Sequence, residues 1–212
     1  MRVHLDRGDP LEVALEALER LRLGVGDPLP PRRRHLLKEA DGEVRVREAA
    51  LNLLSHRART RSELRSRLLR KAFGARAVDA CLDRLEERGL LDDRAVAAAY
   101  VRDRLRHRPR GTSRLTQEVR AKGVDDTTAR AVVDGVLEDE NVTEEALATR
   151  VMEGWLKRQG PEVLRALGSR ERSPERERAR RRLYGFLARR GFRGAALTRA
   201  MDQAAEAAAA RA

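Results

Sequence analysis

The chain of 212 residues has no isoleucine, one cysteine, one tryptophan and only 3% aromatic residues. Each shortage excludes something. A lone Cys81 cannot form an intramolecular disulfide, which points to a reducing compartment. Without isoleucine and with few aromatics, little of the composition favours strands, and any core must be assembled from Leu, Ala and Val. Small apolar side chains bury little area each, so a helical unit of this make-up is marginal alone and leans on its neighbours. No apolar run is long enough to cross a membrane, and the first twenty residues, with early acids, do not read as a signal peptide. The expectation is a soluble, cytoplasmic protein.

Chemistry-bearing patterns are equally sparse. His4, His35, His56 and His107 are scattered, three of them beside arginine, and none has metal-ligand spacing with Cys81 or with another histidine. There is no P-loop, no glycine-rich dinucleotide turn and no nucleophile elbow. The acidic pairs Asp92-Asp93 and Asp125-Asp126 fall where helix caps are expected. The reading is a protein with no catalytic residues, cofactor or metal.

What the chain has is repetition. Displaced by 51, RSELRSRLLRKAFGARAVDACLDRL overlays TSRLTQEVRAKGVDDTTARAVVDGV; displaced again by 68, it overlays RRLYGFLARRGFRGAALTRAMDQA. Seven aligned columns are apolar: Leu64, Leu115, Leu183; Leu68, Val119, Leu187; Phe73, Val124, Phe192; Val78, Ala129, Leu197; Cys81, Val132, Ala200; Leu82, Val133, Met201; and Leu85, Val136, Ala204. An eighth column, Lys71, Lys122 and Arg190, is basic. A ninth, Ala72, Gly123 and Gly191, sits where a helix C-terminus favours glycine. Apolar periodicity alone would produce neither of these last two, so the repeat sets the architecture.

The fold class follows: all-α, three tandem three-helix repeats behind a small N-terminal segment. The expected organisation is a variable segment 1–44 with a short strand at Val3 to Leu5 and a helix from Leu11 to Leu23, then repeats 45–93, 94–142 and 143–205, and a fraying tail 206–212. Leu36 to Ala40 reads as one helical turn, stopped by the turn signal Asp41-Gly42. Thr60 with Glu63 has capping-box spacing. Asn141 and Thr143 are candidate caps, and Ser173-Pro174 is a helix start. The stretch from Arg158 to Arg178 reads as a charged insertion that lengthens the third repeat.

Lysine and arginine number 46 against 34 acids, a formal net charge of +12, which favours an anionic partner. The excess concentrates on the second helices. Between Arg57 and Lys71 there are seven basic residues and one acid, whereas Asp125 to Glu145 carries eight acids and one arginine. Stacked repeats would turn the second helices into a basic stripe, with Arg65, Arg67, Arg70, Lys71, Arg120, Lys122, Arg189 and Arg190 as candidate partner- or nucleic-acid-binding residues. The same residues also fit solvated faces with local ion pairs. Cys81 and Trp155 lie on apolar stripes and read as core; Tyr184 and Phe186 fit either packing or a partner contact.

The stretches ALNLLSHRARTRSELRSRLLRKAF, LDRLEERGLLDDRAVAAAYVRDR, LTQEVRAKGV and LYGFLARRGF resemble the RecX family, bacterial modulators of the RecA recombinase. The resemblance spans about Ala50 to Phe192. It implies an elongated, curved array of three three-helix repeats and no enzyme activity. It further implies a monomer that binds the RecA filament on single-stranded DNA, touching the DNA directly but weakly, and that inhibits RecA ATPase, strand exchange and coprotease activity. Two departures stand out, RPRGTSRL before the second helix of repeat two and the insertion in repeat three. Two other readings stay open: a helix-turn-helix-like DNA-binding protein acting without RecA, and a structural scaffold.

Overall fold

In the computed structural model, residues 1–6 and 9–211 are described. Arg7 and Gly8 of the N-terminal segment and Ala212 of the tail lie outside them. The chain forms two compact units, Met1–Asp93 and Arg94–Ala212.

The first unit opens with strands β1 (Arg2–Val3) and β2 (Leu11–Glu12), paired antiparallel with Val3 opposite Leu11. Helices α1 (Leu15–Arg20), α2 (Pro31–His56), α3 (Arg61–Arg70) and α4 (Ala75–Glu87) follow. The expected helix from Leu11 to Leu23 is thus shorter, because Leu11 is taken by the strand pair, Ala14 is extended, and Arg22 at φ 49° breaks the exit. The expected turn at Asp41-Gly42 is absent: α2 starts at Pro31, well before Arg45, and runs straight through. Asp41 is buried. Its carboxylate accepts the Ala14 amide at 2.6 Å and pairs with Arg45 at 2.8 Å, so it serves a tertiary link rather than a local turn. This one helix supports two cores. Its Leu37, Ala40 and Val44 pack with Val13, Ala17 and Leu18, while Val46 and Ala50 pack with Leu64, Leu68, Val78, Leu82 and Leu85.

The second unit holds α5 (Asp93–His107), α6 (Thr112–Arg120), α7 (Asp126–Asp139), α8 (Glu144–Leu156), α9 (Pro161–Gly168), α10 (Pro174–Arg189) and α11 (Gly194–Ala209) around one continuous core from Ala97 to Ala208. Thr60, Asp125, Thr143 and Ser173 each accept the backbone amide three residues on, as N-caps do. Asn141 instead takes φ 51° beyond the end of α7. The stretch expected to be a mere insertion contains α9, with Leu167 wholly buried and Gly168 so close to α11 that a Cβ would lie 2.5 Å from the Ala209 nitrogen. That packing accompanies the run of α11 to Ala209, with Ala204 and Ala208 fully buried.

The all-α architecture agrees with the sequence reading. Of the seven apolar columns every member is buried except Phe73 and Val132, which are half-buried. The ninth column has a common backbone state: Ala72, Gly123 and Gly191 all take positive φ, at 62°, 87° and 90°. A polar link also recurs. The amide of Arg61, first residue of α3, donates to Asp93 at 2.6 Å, and the amide of Thr112, first residue of α6, donates to Glu144 at 3.1 Å. Each acid lies 32 residues after its donor and opens the next helix but one.

Candidate partner-binding surface

The eight basic candidates stand in different surroundings. On α3, the guanidinium of Arg65 meets Asp79 of α4 in a two-pronged pair at 2.6 and 3.1 Å. The hydrogen bond from Arg65 holds the Asp79 carboxyl below its usual range and, in return, raises Arg65. Arg67 is half-buried, and Arg70 and Lys71 are exposed; among the described residues these three form no ion pair. Their neighbour Arg61 is held by Asp83 and Glu86 at 2.6 Å each, and Arg57 by Glu63 at 3.3 Å. Arg59 is buried, with its Nε donating to the Leu53 carbonyl in the last turn of α2. Burial, reinforced by the charges of Arg57 and Arg67, lowers its pKa.

In the second unit, Arg120 pairs with Asp126 at 3.2 Å, and Asp126 also holds Arg130 at 2.9 Å. Lys122 is half-buried with its ammonium 4.5 Å from the centre of the Tyr100 ring. Tyr100 in turn donates to Glu118 at 2.9 Å. Burial alone would raise Glu118, but hydrogen bonds from Tyr100 and Arg114 and the charges of Arg110 and Arg114 outweigh it and leave the carboxyl lowered. Arg120 shares an open cleft with Arg130, Gly191 and Arg193. Arg189 is exposed, and Arg190 lies 4.5 Å above the Phe186 ring.

The basic column is therefore not a uniform solvated stripe. Arg190 belongs to a tight junction inside the second unit. Its carbonyl accepts the Gly111 amide at 2.9 Å, and a Cβ on Gly111 would come within 2.4 Å of the Gly191 oxygen. The departure RPRGTSRL is legible here: only glycine at position 111 lets the start of α6 touch the turn after α10. Phe186 packs against the core beside Trp155, while Tyr184 stays 55% exposed.

Sequence reasoning missed Arg181 and Arg182. They line an open groove of about 450 Å³ with Trp155, Phe186 and Arg189. The available signal was the absence of acids: from Arg178 to Arg193 there are seven arginines and none. Among the described residues there is no group of three or more His, Cys, Asp or Glu placed to hold a metal ion, and no helix long and apolar enough to cross a membrane. Cys81 is buried, and burial pushes its thiol up, away from reactivity.

These features define an all-α protein of tandem three-helix domains whose surface chemistry is carried by arginine. Two family models match in order: "RecX, first three-helix domain" over residues 47–85 and "RecX, second three-helix domain" over residues 92–133. A regulatory protein RecX from Thermobifida fusca is 38% identical over 151 residues, covering 70% of this chain and 72% of that one. Its counterpart from Halorhodospira halophila is 39% identical over 147 residues, covering 69% and 80%. A crystal structure of a regulatory protein RecX superposes with a TM-score of 0.72 at 25% identity, covering 95% of this chain and 94% of that one. The RecX of Lactobacillus salivarius shares the fold, with a TM-score of 0.61 at 20% identity over 78% of this chain and 97% of that one. The chain belongs to the RecX family of regulatory proteins.

Proposed function

We propose that this protein regulates RecA by binding the RecA filament on single-stranded DNA. It inhibits RecA ATPase, strand exchange and coprotease activity, and so moderates recombinational repair and the SOS response. It acts by binding, as a cytoplasmic monomer with no catalytic step of its own. Family membership supports this reading, and the observation that carries it in this chain is the set of cations without acidic partners on and just after the middle helices: Arg67 and Arg70 on α3, Lys71 at its C-terminal cap, and Arg189 at the end of α10. A guanidinium in water without a partner is free to form charge-assisted, two-pronged bonds with carboxylates or phosphates.

The test is a titration into RecA assembled on single-stranded DNA while ATP hydrolysis is followed. Suppression well below one protein per recombinase is expected. Unchanged hydrolysis at equimolar protein would remove the proposal.

A further inference from the structure

We propose that the cavity between α1, α2 and α4 is a binding site for a small organic dianion, held by Arg20, Arg84 and Arg88 over a floor of Ala77, Cys81 and Leu85. The cavity measures about 270 Å³, and all of its lining lies in the first unit. Arg20, Glu43 and Arg88 fall outside both segments that the family models match, and no residue of the cavity carries the regulatory reading above.

Charge is the first argument. Arg20, Arg47, Arg84 and Arg88 meet only Glu16 and Glu43 around the cavity, which leaves two positive charges in excess. Both acids are ionised near neutral pH. The hydrogen bond from Arg47 lowers Glu16. Burial alone would raise Glu43, but hydrogen bonds from Arg20 and Arg84 outweigh it and leave the carboxyl lowered. The four arginines are engaged unequally. Arg47 turns both terminal nitrogens to Glu16. Arg20 and Arg84 each place one nitrogen on the same Glu43 oxygen, at 3.1 and 3.2 Å, and make no other side-chain hydrogen bond among the described residues. Arg88 forms neither an ion pair nor a side-chain hydrogen bond among them. Three guanidiniums therefore keep donors in the fork geometry that carboxylate and phosphate oxygens fit.

Shape is the second. Ala77, Cys81 and Leu85 recur every four residues along α4 and so share one face. Cys81 and Leu85 are buried, and Ala77 is half-buried. A bare inorganic anion would leave this apolar floor untouched. The volume falls just under that of sites for drug-sized molecules, so the occupant is one ring or a short chain bearing two charges, not a polymer. Its charges meet the arginines and its body covers Cys81. An occupant also links Arg20 of α1 to Arg84 and Arg88 of α4, across the two cores that share α2.

The experiment uses the full chain without recombinase or nucleic acid, so its outcome is independent of the regulatory proposal. Para-fluorophenyl phosphate is titrated with protein in mildly alkaline buffer of low salt, and binding is read from the fluorine NMR signal of the probe. Fluorophthalate replaces it in a second arm, and para-fluorophenol supplies the ring without the charge. At least one dianion should bind and the phenol should not; the tighter dianion tells whether the occupant is a phosphate ester or a dicarboxylate. Ala77→Leu fills the floor without touching a charge and should weaken binding roughly tenfold or more. Arg88→Ala removes an exposed cation and should weaken it by roughly two- to fivefold. R67A/R70A on α3 removes more charge elsewhere and should leave the affinity unchanged. Saturating probe should slow the reaction of Cys81, the sole thiol, with a maleimide. Circular dichroism checks that each variant is folded, and should Ala77→Leu fail to fold, Arg88→Ala against R67A/R70A still decides. Equal losses from Arg88→Ala and R67A/R70A, or a folded Ala77→Leu protein that binds as the parent does, would overturn the site. Phenol binding as tight as that of either dianion would overturn the ligand class, and an unprotected Cys81 would do the same for the floor.

Discussion

Helices α3 and α10 occupy the same place in their repeats, with Leu64 and Leu68 in one corresponding to Leu183 and Leu187 in the other, all fully buried. Their outer faces have gone different ways. Arg65 faces Asp79 from α4, and Arg61 faces Asp83 and Glu86. In the third repeat the position of Arg65 is held by Tyr184 and that of Asp79 by Thr198. The core columns constrain only the inward stripe of each helix, so the charges on the outward stripe can change without disturbing the packing. One scaffold can therefore pair the outward position of Arg65 with an acid in one copy and leave it without an ion pair in another.

The repeats also differ at their shared turn, and the largest expected effect lies there. Gly191 takes φ 90°, and an added Cβ would lie 2.4 Å from Cβ of Arg114. Gly191→Ala therefore combines left-handed strain of about 1–2 kcal/mol with a backbone clash that must open the junction, for a total of about 3 kcal/mol or more. At the same position of the first repeat, Ala72 already bears that strain at φ 62°. Ala72→Gly should be neutral or stabilise by up to about 1 kcal/mol, since relief of strain is offset by the greater freedom of glycine in the unfolded chain. Denaturant melts of both variants check the contrast. A Gly191→Ala protein as stable as the parent would show that the turns are equivalent after all.

How much of this was legible in the sequence depends on the physics involved. Apolar columns and caps are local patterns, and Leu64, Leu115, Thr60 and Ser173 all sit where periodicity and spacing place them. Asp41-Gly42 misled because a turn signal is also local, while the interaction that decides it is the bond to Ala14, 27 residues away. Leu167 went unrecognised because a short helix among charged residues has too little periodicity to stand out. Of the basic candidates, Arg65, Arg67, Arg70, Arg120 and Arg189 sit on middle helices and Lys71, Lys122 and Arg190 in the turns just after them, but which of them are neutralised depends on the partner helix. Asp79 and Asp126 could not be assigned to Arg65 and Arg120 without the packing.

A middle-sized effect separates the second repeat from the others by pH. Glu118 gathers Tyr100, Arg104, Arg110 and Arg114 around one carboxylate. Its pKa is lowered on folding, so its contribution is whole above the ordinary glutamate range and is lost as pH falls through the folded value. Glu118→Gln should cost about 1 kcal/mol near neutral pH, after allowance for screening on its solvent side. The gap between parent and variant should close in acid, where Glu118 is itself protonated. Stability measured by urea melts across that range checks the sign, and a gap that widened in acid would contradict it.

The smallest effect sharpens the comparison between α3 and α10 most directly. The Arg65–Asp79 pair joins two exposed side chains and is screened by water and salt, so Arg65→Ala should move a thermal melt by no more than replicate scatter. Its expected consequence is electrostatic: Asp79 loses the partner that holds its pKa down, and the carboxyl should titrate at a higher pH. Carbon-detected NMR of the Asp79 carboxyl through an acid titration measures this without relying on stability. An unshifted midpoint would mean that the pair does not persist in solution. Arg65 would then be as available to an anion as Arg67 and Arg70, and only Arg61 would remain neutralised on α3.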